Sequence, residues 1–291
     1  MDSIKLTSGT FKFLEKTLSS SVLLYTLPSG KRYIVKRASH SRLRNEYDIL
    51  SQLSHPNIIK VYDYGYDFIN KHYMISQYCE QGDMISFLTI NFAKILNKSN
   101  ILSQKFEKFW RFVFLSVLDV LLYLNTKNLA HLDVKPENLL MTEDFTVKLC
   151  DFELVFSTKR EGITQECSLI AGTQIYYSPE IIEKNVPYNA VKSEIFSFAI
   201  TMLNMITGSQ IFNKETSNDF RYKLIKSEKF DEFWASVKYT RFLTADLKDL
   251  MMKMLKFDPN ERIALEDIKG HRWCLEGILE KNEIRELFMG L

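Results

Sequence analysis

Short apolar runs fill the first part of the chain, and helical stripes fill the rest. Val22-Leu23-Leu24-Tyr25 and Arg32-Tyr33-Ile34-Val35-Lys36 flank Leu27-Pro28-Ser29-Gly30. Proline and glycine there suit a turn, so the two runs predict a hairpin. From Arg42 to Leu53 the residues Leu43, Tyr47, Leu50 and Leu53 recur at helical spacing, which predicts a helix. His55-Pro56-Asn57 ends it, because proline disfavours helix at the preceding residue. Ile58 to Tyr64 and His72 to Tyr78 read as two more strands. Beyond Asp83 the pattern is mainly helical, with short strands at Leu139-Leu140-Met141 and Val147-Lys148-Leu149. Phe109 to Leu124 and Ile195 to Ile206 read as core helices. The first contains Arg111 and Asp119, and the second is too short to span a bilayer. Leu275 to Leu291 carries a helical apolar stripe that either packs on the larger part or binds a regulatory partner. The order of elements predicts an α+β protein, small and β-rich first, larger and mainly helical after.

Composition narrows the class without naming it. Of 291 residues, 46% are hydrophobic and 13% aromatic, which excludes global disorder and fits one large domain or two lobes around a cleft. A net charge of +2 makes no case for nucleic-acid binding. Cys79, Cys150, Cys167 and Cys274 lie far apart, and Met1-Asp2-Ser3-Ile4-Lys5 does not open an apolar leader. The expectation is a reducing, intracellular setting, cytoplasmic or nuclear, with no membrane segment.

The chemistry concentrates in His131-Leu132-Asp133-Val134-Lys135-Pro136-Glu137-Asn138-Leu139-Leu140, with Asp151-Phe152 beginning thirteen residues after Asn138. A proton acceptor, a cation and two oxygen donors for a metal stand between Asp133 and Asp151. This spacing resembles the catalytic loop and metal-binding segment of the eukaryotic protein kinases, H-R-D-x-K-x-x-N and D-F-G. Lys36 resembles the lysine of V-A-I-K, and Glu46, ten residues on, resembles the helix glutamate that pairs with it. Gly172-Thr173-Gln174-Ile175-Tyr176-Tyr177-Ser178-Pro179-Glu180 is similar to the end of an activation loop, and Arg262 matches the arginine that pairs with its glutamate. The resemblance covers residues 11–274.

That resemblance implies a bilobal fold with an N-lobe over 1–79, a hinge at 77–79, a C-lobe over 80–274 and a helical tail over 275–291. It implies ATP and Mg²⁺ as cofactors and protein serine or threonine as acceptor, since Lys135 with Pro136-Glu137-Asn138 and Thr173 are the serine/threonine forms. Asp133 would be the catalytic base, Lys135 would steady the γ-phosphate, and Thr173 would stand beside them. Asn138 and Asp151 would hold the metal. Val22, Ile34, Lys36, Glu46, Ser76, Gln77, Cys79 and Leu140 would form the ATP site. Ser76 falls at the gatekeeper position, and a small residue there predicts a back pocket open to enlarged purines unless Met74 or Leu50 fills it. Asp83 and Glu137 match positions that bind basic residues upstream of the phosphosite. The subgroup most resembled, from Lys-Pro-Glu-Asn-Leu-Leu and His271-Arg272-Trp273, is the calmodulin-dependent one.

Several positions depart from the family pattern. Glu15, Thr17 and Ser20 stand where the glycine-rich loop has glycines, and a one-residue shift gives Lys16, Leu18 and Ser21. Side chains there would hold the loop away from the phosphates. Ile34 replaces a small alanine, Leu132 the arginine of H-R-D, Glu153 the glycine of D-F-G, Glu194 an anchoring aspartate and Ala199 a glycine. Leu132 implies activity without loop phosphorylation, although Thr164 and Ser168 are available. Glu153 implies a stiffer swing of Asp151. The competing reading is a pseudokinase that binds or scaffolds. A third, transfer to a small-molecule hydroxyl, is disfavoured by the well-formed segment from Gly172 to Glu180.

Overall fold

The computed structural model describes residues 4–6, 9–11, 14–17, 21–66, 72–97, 104–184, 186–213, 216–238, 240 and 243–290. Five antiparallel strands form the first lobe: β1 (Leu14–Thr17), β2 (Val22–Thr26), β3 (Arg32–Ala38), β4 (Val61–Tyr66) and β5 (His72–Gln77), in the order β1-β2-β3-β5-β4. The predicted hairpin is β2–β3, with Val22 opposite Lys36. Strand alternation sends Val35 into a small core with Leu23, Tyr25, Tyr73 and Ile75, which puts Ile34 and Lys36 on the other face. Helix α1 (His40–Ser51) follows β3 and buries Leu43, Glu46 and Leu50. Beyond Gln77 the chain passes through residues 78–83 into α2 (Met84–Asn97).

The second lobe is helical. In α4 (Ala190–Thr207), Ile195, Phe196, Phe198, Ala199, Ile200, Met202 and Leu203 are all fully buried, and a helix apolar on every side must be surrounded. Before it runs α3 (Gln104–Thr126), with Val113, Phe114, Leu118 and Leu121 in the same core. By length and composition α3 could cross a membrane, but its apolar side is packed inside the lobe, as expected of a core helix. The short strands β6 (Leu139–Met141) and β7 (Val147–Leu149) form where predicted and pair antiparallel, β6 following the segment 131–138 and β7 leading into Asp151. One continuous core joins Leu43, Leu50 and Met74 of the first lobe to the helices of the second.

The tail differs from the expected stripe. The regular helix α5 covers Lys281–Met289, while Leu275 is 72% exposed at the end of a 3-10 turn. Its anchors are Ile284 and Phe288, the latter against Phe87 and Phe109 at 4.9 Å. Arg111 clasps the approach: Nε donates to Trp273 O (2.6 Å), Nη1 to Gly277 O (2.7 Å) and Nη2 to Glu276 Oε2 (2.8 Å). Leu18 and Ser20, two of the positions matched to glycines, lie outside the described residues.

Candidate active site

Three segments converge on Lys36. Its Nζ lies 2.9 Å from Glu46 Oε2, 2.8 Å from Asp151 Oδ1 and 3.9 Å from Glu153 Oε2. Burial alone would lower the lysine pKa, but the Glu46 and Asp151 carboxylates outweigh it and hold it above the usual value. Glu46 is pushed up by burial and pulled back by Lys36. Its other oxygen, Oε1, accepts from Phe152 N at 3.3 Å, so α1 meets the segment 151–153 directly. Arg42, one turn earlier on α1, places Nη1 3.2 Å from Glu153 Oε1.

The loop after α3 is held from below by α4. Glu194 Oε1 accepts from His131 N (2.6 Å) and Leu132 N (2.9 Å). Burial pushes that carboxyl up to about 7, against the two backbone donors. Leu132 adopts φ +64°, a strained left-handed conformation for a branched side chain. His131 is fully buried, which lowers its pKa to about 4 and keeps it neutral. Asp133 N lies 3.3 Å from His131 Nδ1 and Cys150 O 3.2 Å from Nε2. A neutral ring satisfies both by accepting at Nδ1 and donating from Nε2. The ring stands edge-on to Phe152 at 4.7 Å.

This framework presents Asp133 at the cleft. Its Oδ2 accepts from Lys135 Nζ (2.6 Å) and Asn138 Nδ2 (3.0 Å), and its Oδ1 accepts from Thr173 Oγ1 at 3.3 Å. Lys135 Nζ also donates to Thr173 Oγ1 at 2.9 Å. Gly172, at φ +103°, makes the approach possible: a Cβ there would lie 3.0 Å from Leu132 O and 3.3 Å from Asp133 Oδ1.

Asn138 uses its Nδ2 on Asp133 O (2.8 Å) as well, which leaves Oδ1 as its accepting end. Asp151 sits at φ +64° with its side chain 37% exposed. An amide oxygen and a carboxylate are the hard donors Mg²⁺ takes, and it commonly completes its shell with phosphate oxygens and water. The residues therefore fit that ion. Among the described residues no group of three His, Cys, Asp or Glu could bind a metal, so the protein offers a partial shell.

Of the remaining expected ATP-site residues, Val22, Ile34, Ser76 and Gln77 lie on the sheet, Cys79 just beyond it and Leu140 on β6 of the second lobe. Ile34 pairs with Ser76 and with Leu24, and Val22 with Lys36. Ser76 and Cys79 are buried, while Val22, Gln77 and Leu140 are half-buried. Of the positions matched to glycines, Glu15 and Thr17 lie on β1.

Of two acidic positions read from the sequence, Asp83 has a local partner and Glu180 has the expected one. Asp83 caps α2, with Oδ1 accepting from Ser86 N (2.9 Å) and Oδ2 from Ser86 Oγ (2.8 Å). Glu180 and Arg262 form a buried bidentate pair, Nη1 to Oε1 at 2.9 Å and Nη2 to Oε2 at 3.1 Å. Sequence reasoning missed the Arg42–Glu153 contact. No local spacing signals it, since Arg42 and Glu153 belong to distant segments.

A strand lysine, a helix glutamate and a loop aspartate thus meet where the two lobes join. The sequence model of the protein kinase domain family matches residues 24–274, and the chain belongs to that family. It is 28% identical over 247 residues to an Aurora kinase of Saccharomyces cerevisiae, a match covering 84% of this chain and 60% of that protein. To calcium-dependent protein kinase 5 of Plasmodium falciparum it is 29% identical over 280 residues, 94% of this chain and 44% of that one. To serine/threonine-protein kinase par-4 of Caenorhabditis elegans it is 31% identical over 238 residues, 80% and 36%. The chain thus spans 60% of the first relative and less than half of the other two.

Proposed function

We propose that this chain transfers the γ-phosphate of ATP to serine or threonine hydroxyls of protein substrates. The observation that carries the reading is the cluster at Asp133: a carboxylate held by Lys135, Asn138 and Thr173 within 3.3 Å and linked through His131 to Cys150, next to the Asp151 that meets Lys36. In this reading Asp133 orients the acceptor hydroxyl and takes its proton as the new P–O bond forms and ADP leaves. Lys135 lies within reach of the same point and offsets the charge on the transferring group. Lys36, kept protonated by its carboxylate partners, holds the phosphates of ATP. When bound, Mg²⁺ at Asn138 and Asp151 would neutralise phosphate charge.

A cavity of about 440 Å³ adjoins the catalytic loop, lined by Ile85, Leu88, Pro136, Glu137, Ile175 and Met205 among others. Asp83 already serves as a cap, so Glu137 is the carboxylate left to meet a basic residue. This favours a substrate with an apolar side chain beside the acceptor and a single basic contact, over an arginine-rich one. The four cysteines, all free thiols, support a cytoplasmic or nuclear location. A pseudokinase reading draws on one observation: Lys36 faces three carboxylates, which compete with phosphate.

The test is Mg²⁺-dependent ³²P transfer from γ-labelled ATP to a serine/threonine peptide panel, comparing wild type with Asp133→Asn. We expect the mutant to lose about 10²–10⁴-fold in rate. Folded wild type that labels no peptide would transfer the weight to the pseudokinase reading.

A further inference from the structure

Glu153 occupies a position where the family motif has glycine, and the backbone here does not require one. Residues Phe152–Leu154 form a 3-10 turn, and the left-handed conformation falls on Asp151 rather than Glu153. The side chain is therefore unstrained, and what needs explaining is its charge. Lys36 carries one positive charge against Glu46 and Asp151, both within 3 Å, and Glu153 Oε2 waits at 3.9 Å. A third carboxylate moving onto Lys36 would oppose any incoming phosphate. Arg42 meets the other oxygen of Glu153 at the nearer distance of 3.2 Å. It sits one turn before Glu46 on α1, so both residues reach the 151–153 segment from the same helix face.

We propose that Arg42 and Glu153 form a positioning pair, in which Arg42 draws the Glu153 carboxylate away from Lys36 and gives α1 a second attachment to the segment bearing Asp151. The first effect protects the phosphate-binding charge of Lys36 and rests on the reading of Lys36 as a nucleotide contact. The second is a property of the protein alone. Arg42 is 70% exposed, so the pair is screened and its effects are a few-fold.

Four variants test it: Arg42→Gln, Arg42→Lys, Glu153→Gln and the double Arg42→Gln/Glu153→Gln. ATP affinity is read by calorimetry with MgCl₂, and hydrogen exchange of residues 40–51 is read without nucleotide. Arg42→Gln should weaken ATP binding about three- to five-fold, because Glu153 is freed toward Lys36. Glu153→Gln should leave ATP affinity at or above wild type, and the double variant should match it. Both single variants should speed exchange in the first turn of α1, the double no more than either, and Arg42→Lys should stay near wild type. A loss of ATP affinity in Glu153→Gln equal to that in Arg42→Gln, additive effects in the double, or unchanged helix exchange would each overturn the proposal. If wild type binds no ATP, the nucleotide reading fails, and the exchange measurements decide the pair by themselves.

Discussion

Glu194 and His131 are opposed titrating groups under one loop. The carboxyl is raised from an ordinary 4.5 to about 7 by burial, so the folded protein holds a proton there that the unfolded chain releases. Its contribution to stability is complete below pH 4.5 and is lost as pH rises through 7. His131 is lowered from 6.5 to about 4, so its contribution is present above pH 6.5 and is lost as pH falls through 4. Glu194→Gln keeps an acceptor for His131 N and Leu132 N but cannot ionise. Urea unfolding at pH 5 and pH 8 should show the variant gaining on wild type at the higher pH, by on the order of 1–3 kcal/mol. An identical difference at both pH values would remove Glu194 as the cause. At this scale the sequence was legible wherever a spacing constrains position. Asp133, Lys135, Asn138 and Asp151 come from one short stretch, and Thr173, Lys36 and Glu46 do converge on it. The ion pair of Arg42 with Glu153 was illegible, because 111 positions separate the partners and only the packed fold brings them together.

Among the elements, the strands and helices with a regular apolar period were readable and those ordered by distant contacts were not. The hairpin β2–β3, the helix α1 and the pair β6–β7 follow local pattern. A small hairpin of Lys159–Arg160 against Ile163–Thr164, exposed on both strands, carries no such signal. The tail shows the same division. Leu275 and Phe288 both belong to one helical stripe in sequence, yet the clasp of Arg111 on Trp273, Glu276 and Gly277 leads the chain away from that register. Phe288 is 1% exposed among aromatic rings, whereas Leu275 faces solvent. Phe288→Ala should therefore destabilise the protein by about 3–5 kcal/mol in chemical unfolding, while Leu275→Ser should change it by less than about 0.5 kcal/mol. Equal effects would mean that α5 is not anchored through its buried ring.

For the whole molecule, the two-lobed layout was readable because strand patterns dominate up to β5 and helical ones dominate beyond Asp83. How firmly the lobes are joined was not readable. The continuous core through Leu43, Leu50 and Met74, the contacts of Lys36 with Asp151 and the bond from Phe152 N to Glu46 depend on surfaces that meet only after folding. One consequence is optical. All three tryptophans, Trp110, Trp234 and Trp273, belong to the helical lobe, so indole emission reports on that lobe and is blind to the sheet. A shared core predicts that the thermal midpoint seen by fluorescence coincides with the one seen by exchange at β2, β3 and β5 amides. Separate midpoints would instead mean that the sheet melts as an independent unit and that emission alone overstates the range in which the cleft is intact.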